Sequence, residues 1–130
     1  MTQVARRVLV VDDHPTLRRA VRLVLEDAGF EVEEASEGAR ALTAIADAAP
    51  DVVLLDLNIP GVSGSELLQA LHEDPATSAI PVIVVTATGD EGRPGALRRG
   101  AADYLTKPFS SDALLRSVER VLGGSGSPAG

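Results

Sequence analysis

At 130 residues the chain is sized for one domain that buries roughly two thirds of the surface its unfolded form exposes. Apolar residues make up 45% and aromatics only 2%, so the core has to be built from Val, Leu, Ile and Ala; the lack of cysteine excludes disulfides, thiolate metal centres and cysteine nucleophiles together. A net charge of −7 argues against holding nucleic acid by counterion release, and no apolar run is long enough to span a bilayer, so a cytoplasmic chain without nucleic-acid or membrane contact is expected. The local basic groups Arg6-Arg7, Arg18-Arg19-Arg22 and Arg98-Arg99 read as solvated helix faces and strand edges.

Val8 to Val11 is an apolar run of the length of a strand buried on both faces, and it stops at Asp12-Asp13. Pro15 suits the first turn of a helix, Leu17, Ala20, Val21, Val24 and Leu25 form its inner face, and Gly29 supplies the stop. Phe30 to Ala35 alternates as a more exposed strand. Ser36 is placed to cap a second helix with Ala39, Leu42, Ile45 and Ala46 inward, ended by Pro50. Val52 to Leu55 is the next buried strand and ends at Asp56. A loop from Asn58 to Gly64 leads to a short helix with Leu67, Leu68 and Leu71, broken at Asp74-Pro75. Ile80 to Val85 is a strand ending at Thr86. The stretch that follows contains Gly92, Pro94 and Gly95, which oppose helix, so a short helix from about Pro94 to Arg99 is predicted after an irregular Gly89 to Arg93. Tyr104 to Thr106 forms a last short strand before Lys107-Pro108, and a helix from about Ser111 to Leu122 turns Leu114, Leu115, Val118 and Leu122 inward. Residues 123–130, rich in Gly and Ser, read as a flexible tail or truncated linker after a domain of residues 1–122.

Strand and helix alternate five times, which predicts a doubly wound five-stranded parallel α/β sheet. Parallel strands all end on one edge, so Asp12, Asp13, Asp56, Thr86 and Lys107 are expected to meet there. Three carboxylates packed together repel one another, and a divalent cation relieves that repulsion; the hard oxygens suit Mg²⁺. Asp56, at the end of a central strand and before a glycine-containing loop, is the candidate nucleophile toward phosphorus. His14 is read as a solvent-facing residue at a helix start, and His72 as a helix-end residue favoured by the dipole.

The segments Val10-Val11-Asp12-Asp13-His14-Pro15, Leu54 to Gly64, Val84-Val85-Thr86-Ala87 and Gly100 to Phe109 together resemble the receiver domain of two-component response regulators, over residues 5–122. The resemblance implies a flavodoxin-like (βα)5 fold and a phosphoacceptor that takes a phosphoryl group from a histidine kinase or histidine phosphotransfer protein onto Asp56. It also implies Mg²⁺ held by Asp12, Asp13, Asp56 and the backbone carbonyl of Asn58, with Lys107 paired to the acyl phosphate and a cis Lys107-Pro108 peptide. Thr86 and Tyr104 would form the switch that controls a partner or a missing output domain, and Asn58 and Thr88 would influence the lifetime of the phosphate. No catalysis beyond self-phosphorylation and autodephosphorylation is implied, and the chain is expected as a monomer or weak dimer.

Two departures stand out. Ile59 replaces a customary methionine, a mild apolar exchange, and the weakened helix before Gly100 bears on the face many relatives use for dimerisation. Other classes fit less well. An aspartyl phosphatase of the haloacid dehalogenase type needs a second acid where Asn58 stands; a phosphate-independent pseudo-receiver would have lost part of the acid and lysine set; and a flavin carrier would need aromatic rings to stack on.

Overall fold

The computed structural model describes residues 6–57, 59, 64–86 and 100–124. The elements are β1 (Arg7–Val11), α1 (Pro15–Asp27), β2 (Glu31–Ala35), α2 (Gly38–Asp47), β3 (Val52–Asp56), α3 (Gly64–Glu73), β4 (Val82–Thr86), β5 (Asp103–Thr106) and α4 (Ser111–Gly124). The predicted helix from Pro94 to Arg99 and the irregular stretch before it lie outside the described residues.

All pairings are parallel and the strands lie in the order β2-β1-β3-β4-β5. The order reverses between β1 and β3, which makes their C-terminal ends the crevice where such sheets place ligands. The pleat explains the two-sided core, because successive side chains of a strand point to opposite faces. Leu9, Val11, Val53, Leu55 and Val84 face one side, where Ala41 and Ile45 of α2 and Leu67, Leu68 and Leu71 of α3 cover them. Val8, Val10, Val52, Leu54, Ile83 and Val85 face the other, under Val21 and Leu25 of α1 and Leu114 and Val118 of α4. β3 and β4 are buried along their whole length, whereas β2 is an edge strand with Glu31 and Glu33 exposed.

Three local expectations are corrected. Glu37, not Ser36, precedes α2, and no side chain caps it. The inner stripe of α2 is Gly38, Ala41 and Ile45, with Leu42 40% exposed and Ala39 and Ala46 at the surface. A helix with alanine on every side has no apolar contrast to orient it, so the sheet decides which stripe turns inward. Finally, α4 continues through Gly123 and Gly124, because glycine is penalised less at a helix end than in its interior.

Candidate functional site

The strand ends deliver the anticipated groups to one edge. Asp12 follows β1 directly, Asp56 and Thr86 are the last residues of β3 and β4, and Lys107 follows β5. The parallel ladder fixes their relation: Asp56 lies level with Val85, Thr86 lies level with Thr106, and the Lys107 N–H donates to the Thr86 carbonyl at 2.8 Å. The Lys107-Pro108 peptide is cis.

Asp12, Asp56 and Thr86 are 5%, 3% and 2% exposed, so the two carboxylates lie where charge needs a partner. Lys107 supplies one. Its Nζ donates to Asp56 Oδ2 at 2.8 Å and to Asp12 Oδ2 at 3.2 Å. Burial works against the ammonium, but the Asp56 hydrogen bond and the Asp12 and Asp56 charges outweigh it and lift the Lys107 pKa above the ordinary lysine value.

Asp13 is exposed and faces His14, with Oδ1 3.1 Å from the imidazole Nδ1. Asp12 Oδ1 accepts the His14 backbone N–H at 2.8 Å and lies 3.3 Å from the same Nδ1. His14 is solvent-exposed, as read from the sequence, but its ring folds back over the acids. One ligand atom each from Asp12, Asp13, His14 and Asp56 lie within 4.8 Å of one another. Three carboxylates against one lysine leave a formal charge of −2, and this donor set fits a divalent cation.

Gly64 brings the start of α3 against the end of β3: its N–H donates to the Leu57 carbonyl at 3.2 Å, in a space with no room for a Cβ. Tyr104, level with Val84, is 6% exposed and packed into the α2/α3 side of the core, where Ile59 is also buried. Asn58, Ala87 and Thr88 lie outside the described residues.

One positioning group was not anticipated. Arg18 Nη1 donates to the Asp12 carbonyl at 2.7 Å, while its Nε donates to Glu34 Oε1 at 2.7 Å. Arg22 Nη1 holds the other oxygen, Glu34 Oε2, at 2.8 Å. The Arg22 hydrogen bond, opposed by burial and reinforced by Arg18, keeps the Glu34 carboxyl below its ordinary range. These arginines are therefore tied to β2 rather than forming a simple solvated face. Their i, i+4 spacing was visible in the sequence; the strand partner was not.

Comparison with known proteins places these features in context. The family model for the response regulator receiver domain matches residues 8–119. The phosphate regulon transcriptional regulatory protein PhoB of Pseudomonas aeruginosa is 42% identical over 120 residues, covering 92% of this chain and 52% of that protein. This chain therefore spans about half the length of that relative. Protein PilH of the same organism is 40% identical, covering 91% of this chain and 98% of that protein. Among solved structures, a putative response regulator from Chloroflexus aurantiacus superposes with a TM-score of 0.87 at 36% identity, covering 92% of this chain and 98% of that one. The chemotaxis response regulator CheY4 of Vibrio cholerae gives 0.85 at 33%, covering 92% and 100%.

Proposed function

From the chain's membership of the response regulator receiver domain family we infer that it is the phosphoacceptor switch of a two-component pathway, with Asp56 as the acceptor. The observation that carries this reading is the buried Asp56 carboxylate hydrogen-bonded to Lys107 beside the Asp12-Asp13 pair. An Asp56 oxygen would attack the phosphorus of a phosphohistidine on a sensor kinase or histidine phosphotransfer protein. The P–N bond breaks, its electron pair stays on the imidazole nitrogen, and an acyl phosphate forms on Asp56.

Asp12, Asp13, Asp56 and the Asn58 carbonyl would hold Mg²⁺, which supplies neutralisation of charge on the phosphoryl oxygens. Lys107 sits against Asp56 already and would exchange a carboxylate contact for a phosphoryl oxygen. Thr86, tied to Lys107 through the backbone, would give its hydroxyl to the same group. Tyr104, buried on the neighbouring strand, would pack into the space that Thr86 leaves, so the new charge is read as a repacked surface. The domain would comprise residues 1–122 and act in the cytoplasm on a partner or on an output domain. The half-length match to PhoB agrees with either.

Intact mass after incubation with acetyl phosphate and Mg²⁺ tests this. A single phosphoryl adduct is expected, lost in Asp56→Asn and with chelator. Retention of the adduct in Asp56→Asn would overturn the choice of acceptor. No adduct, with a histidine kinase failing as well, would favour a phosphate-independent interaction module.

A further inference from the structure

His14 follows the acid pair and precedes Pro15, and the proline restricts the residue before it to extended backbone. His14 obeys, with φ −91° and ψ 106°. Its N–H is pinned on Asp12 Oδ1 at 2.8 Å, so its backbone is fixed relative to the acids and only the side-chain torsions remain free. The ring takes the orientation that brings Nδ1 to 3.1 Å from Asp13 Oδ1 and 3.3 Å from Asp12 Oδ1.

The two oxygens of Asp12 are divided between two sides. Oδ2 faces Lys107, as does Asp56 Oδ2, while Oδ1 faces the imidazole. A cation seated on the imidazole side leaves both Lys107 hydrogen bonds in place. The spacing suits one: donor atoms that share an ion at about 2.0–2.2 Å and subtend a right angle stand roughly 3 Å apart. The side chain of His14 is 68% exposed, which leaves this side open to an entering ion.

We propose that His14 Nδ1 is a ligand of the acidic centre and turns it toward a borderline divalent transition metal, represented by Zn²⁺, rather than Mg²⁺ alone. This rests on the reading of that centre as a metal site and adds a preference to it. Mg²⁺ binds oxygen and keeps its waters, so an imidazole offers it little; Zn²⁺ gains a strong bond from the same nitrogen. Because ordinary carboxylate sites already favour Zn²⁺ over Mg²⁺, the diagnostic quantity is the share of Zn²⁺ affinity that depends on His14.

Calorimetric titration of the full chain with Zn²⁺ and with Mg²⁺, in wild type, His14→Asn and Asp13→Asn, separates the two layers of inference. Circular dichroism confirms that each variant is folded. In His14→Asn, Zn²⁺ affinity is expected to fall on the order of tenfold or more, while Mg²⁺ affinity shifts by less than about twofold. In wild type, the ¹⁵N resonance of His14 Nδ1 should move on adding Zn²⁺. Asp13→Asn should weaken both metals. If Asp13→Asn weakens both and His14→Asn leaves Zn²⁺ binding intact, the metal centre stands and the ligand role of His14 is overturned. An equal loss of both metals in His14→Asn also overturns it, since that outcome reports loop organisation. If neither substitution affects either metal, both readings fall.

Discussion

Replacing Gly64 with alanine tests how tightly the end of β3, at Asp56, is held. Gly64 is buried at the start of α3, where an added Cβ would stand 2.3 Å from Leu57 Cα and 2.8 Å from the carbonyl oxygen of Asp56. Carbon pairs settle near 3.5–4.0 Å, so α3 and the end of β3 must separate by about 1 Å. The opposing atoms are backbone, and no change of rotamer relieves the contact. That places the cost toward the upper part of the overpacking range, about 2–3 kcal/mol. At roughly 3–5 °C per kcal/mol for a chain of this size, Tm should fall by roughly 6–15 °C. Because Leu57 follows Asp56, a shift of about 1 Å should also slow phosphorylation by acetyl phosphate on the order of tenfold or more, measured well below the variant's Tm. Gly123→Ala is the control: nothing lies within 4 Å of its added Cβ, and the substitution favours helix, so Tm should hold or rise slightly. A Gly64→Ala Tm within about 2 °C of wild type, with an unchanged phosphorylation rate, would refute the claim that this approach is rigid.

Gly29→Ala meets no neighbour within 4 Å but must adopt φ +99°, so it should lower the urea stability by about 1–2 kcal/mol through the backbone alone; an unchanged midpoint would contradict that cause. Burial pushes the Asp103 carboxyl up, but Ser117 Oγ at 2.5 Å, Arg120 and the Tyr104 N–H bring it below its ordinary 3.8. The folded carboxyl then binds fewer protons than the unfolded one, so its contribution is complete above pH 3.8 and lost as pH falls further; the stability gap between wild type and Ser117→Ala should narrow in that window, and a gap independent of pH would refute the linkage. Lys107→Ala removes the ammonium between Asp12 and Asp56. With that side chain 18% exposed, a loss of about 2 kcal/mol is expected, between the exposed and fully buried cases, and Mg²⁺ should restore part of it. The raised Lys107 pKa means its contribution is complete below pH 10.5 and lost as pH rises through the higher folded value, so the deficit should persist across the neutral range; undiminished stability in metal-free buffer would count against the ion pair.

The parts of the molecule that sequence reasoning reached are those governed by short periods and abrupt ends. Val8 to Val11 and Val52 to Leu55 had to be strands buried on both faces, and parallel strands had to bring Asp12, Asp56, Thr86 and Lys107 to one edge. What it missed is set by partners far away in the chain or by torsions that a string of letters does not encode. Alanine on all sides of α2 hid its inner stripe, Arg18 and Arg22 found Glu34 only once β2 lay beside α1, and the direction of the His14 ring depends on side-chain rotation.

Asp12 shows why these missed contacts bear on the site. Its N–H donates to the Ala35 carbonyl of β2 at 3.1 Å, its own carbonyl accepts from Arg18 of α1 at 2.7 Å, its Oδ1 accepts the His14 N–H at 2.8 Å, and its Oδ2 accepts from Lys107 at 3.2 Å. Each of these polar atoms is bound to a different part of the fold, so the residue cannot be displaced without disturbing β2, α1 and the lysine that contacts Asp56. A change of charge at Asp56 that draws Lys107 away would release one of these four attachments and leave three, so Asp12 would stay held at its backbone and at Oδ1 and the strand end would be spared. On the proposed reading, the larger rearrangement would then fall on the side of the site where Thr86 and Tyr104 lie, on β4 and β5, and away from the β2 edge that Arg18, Glu34 and Arg22 brace.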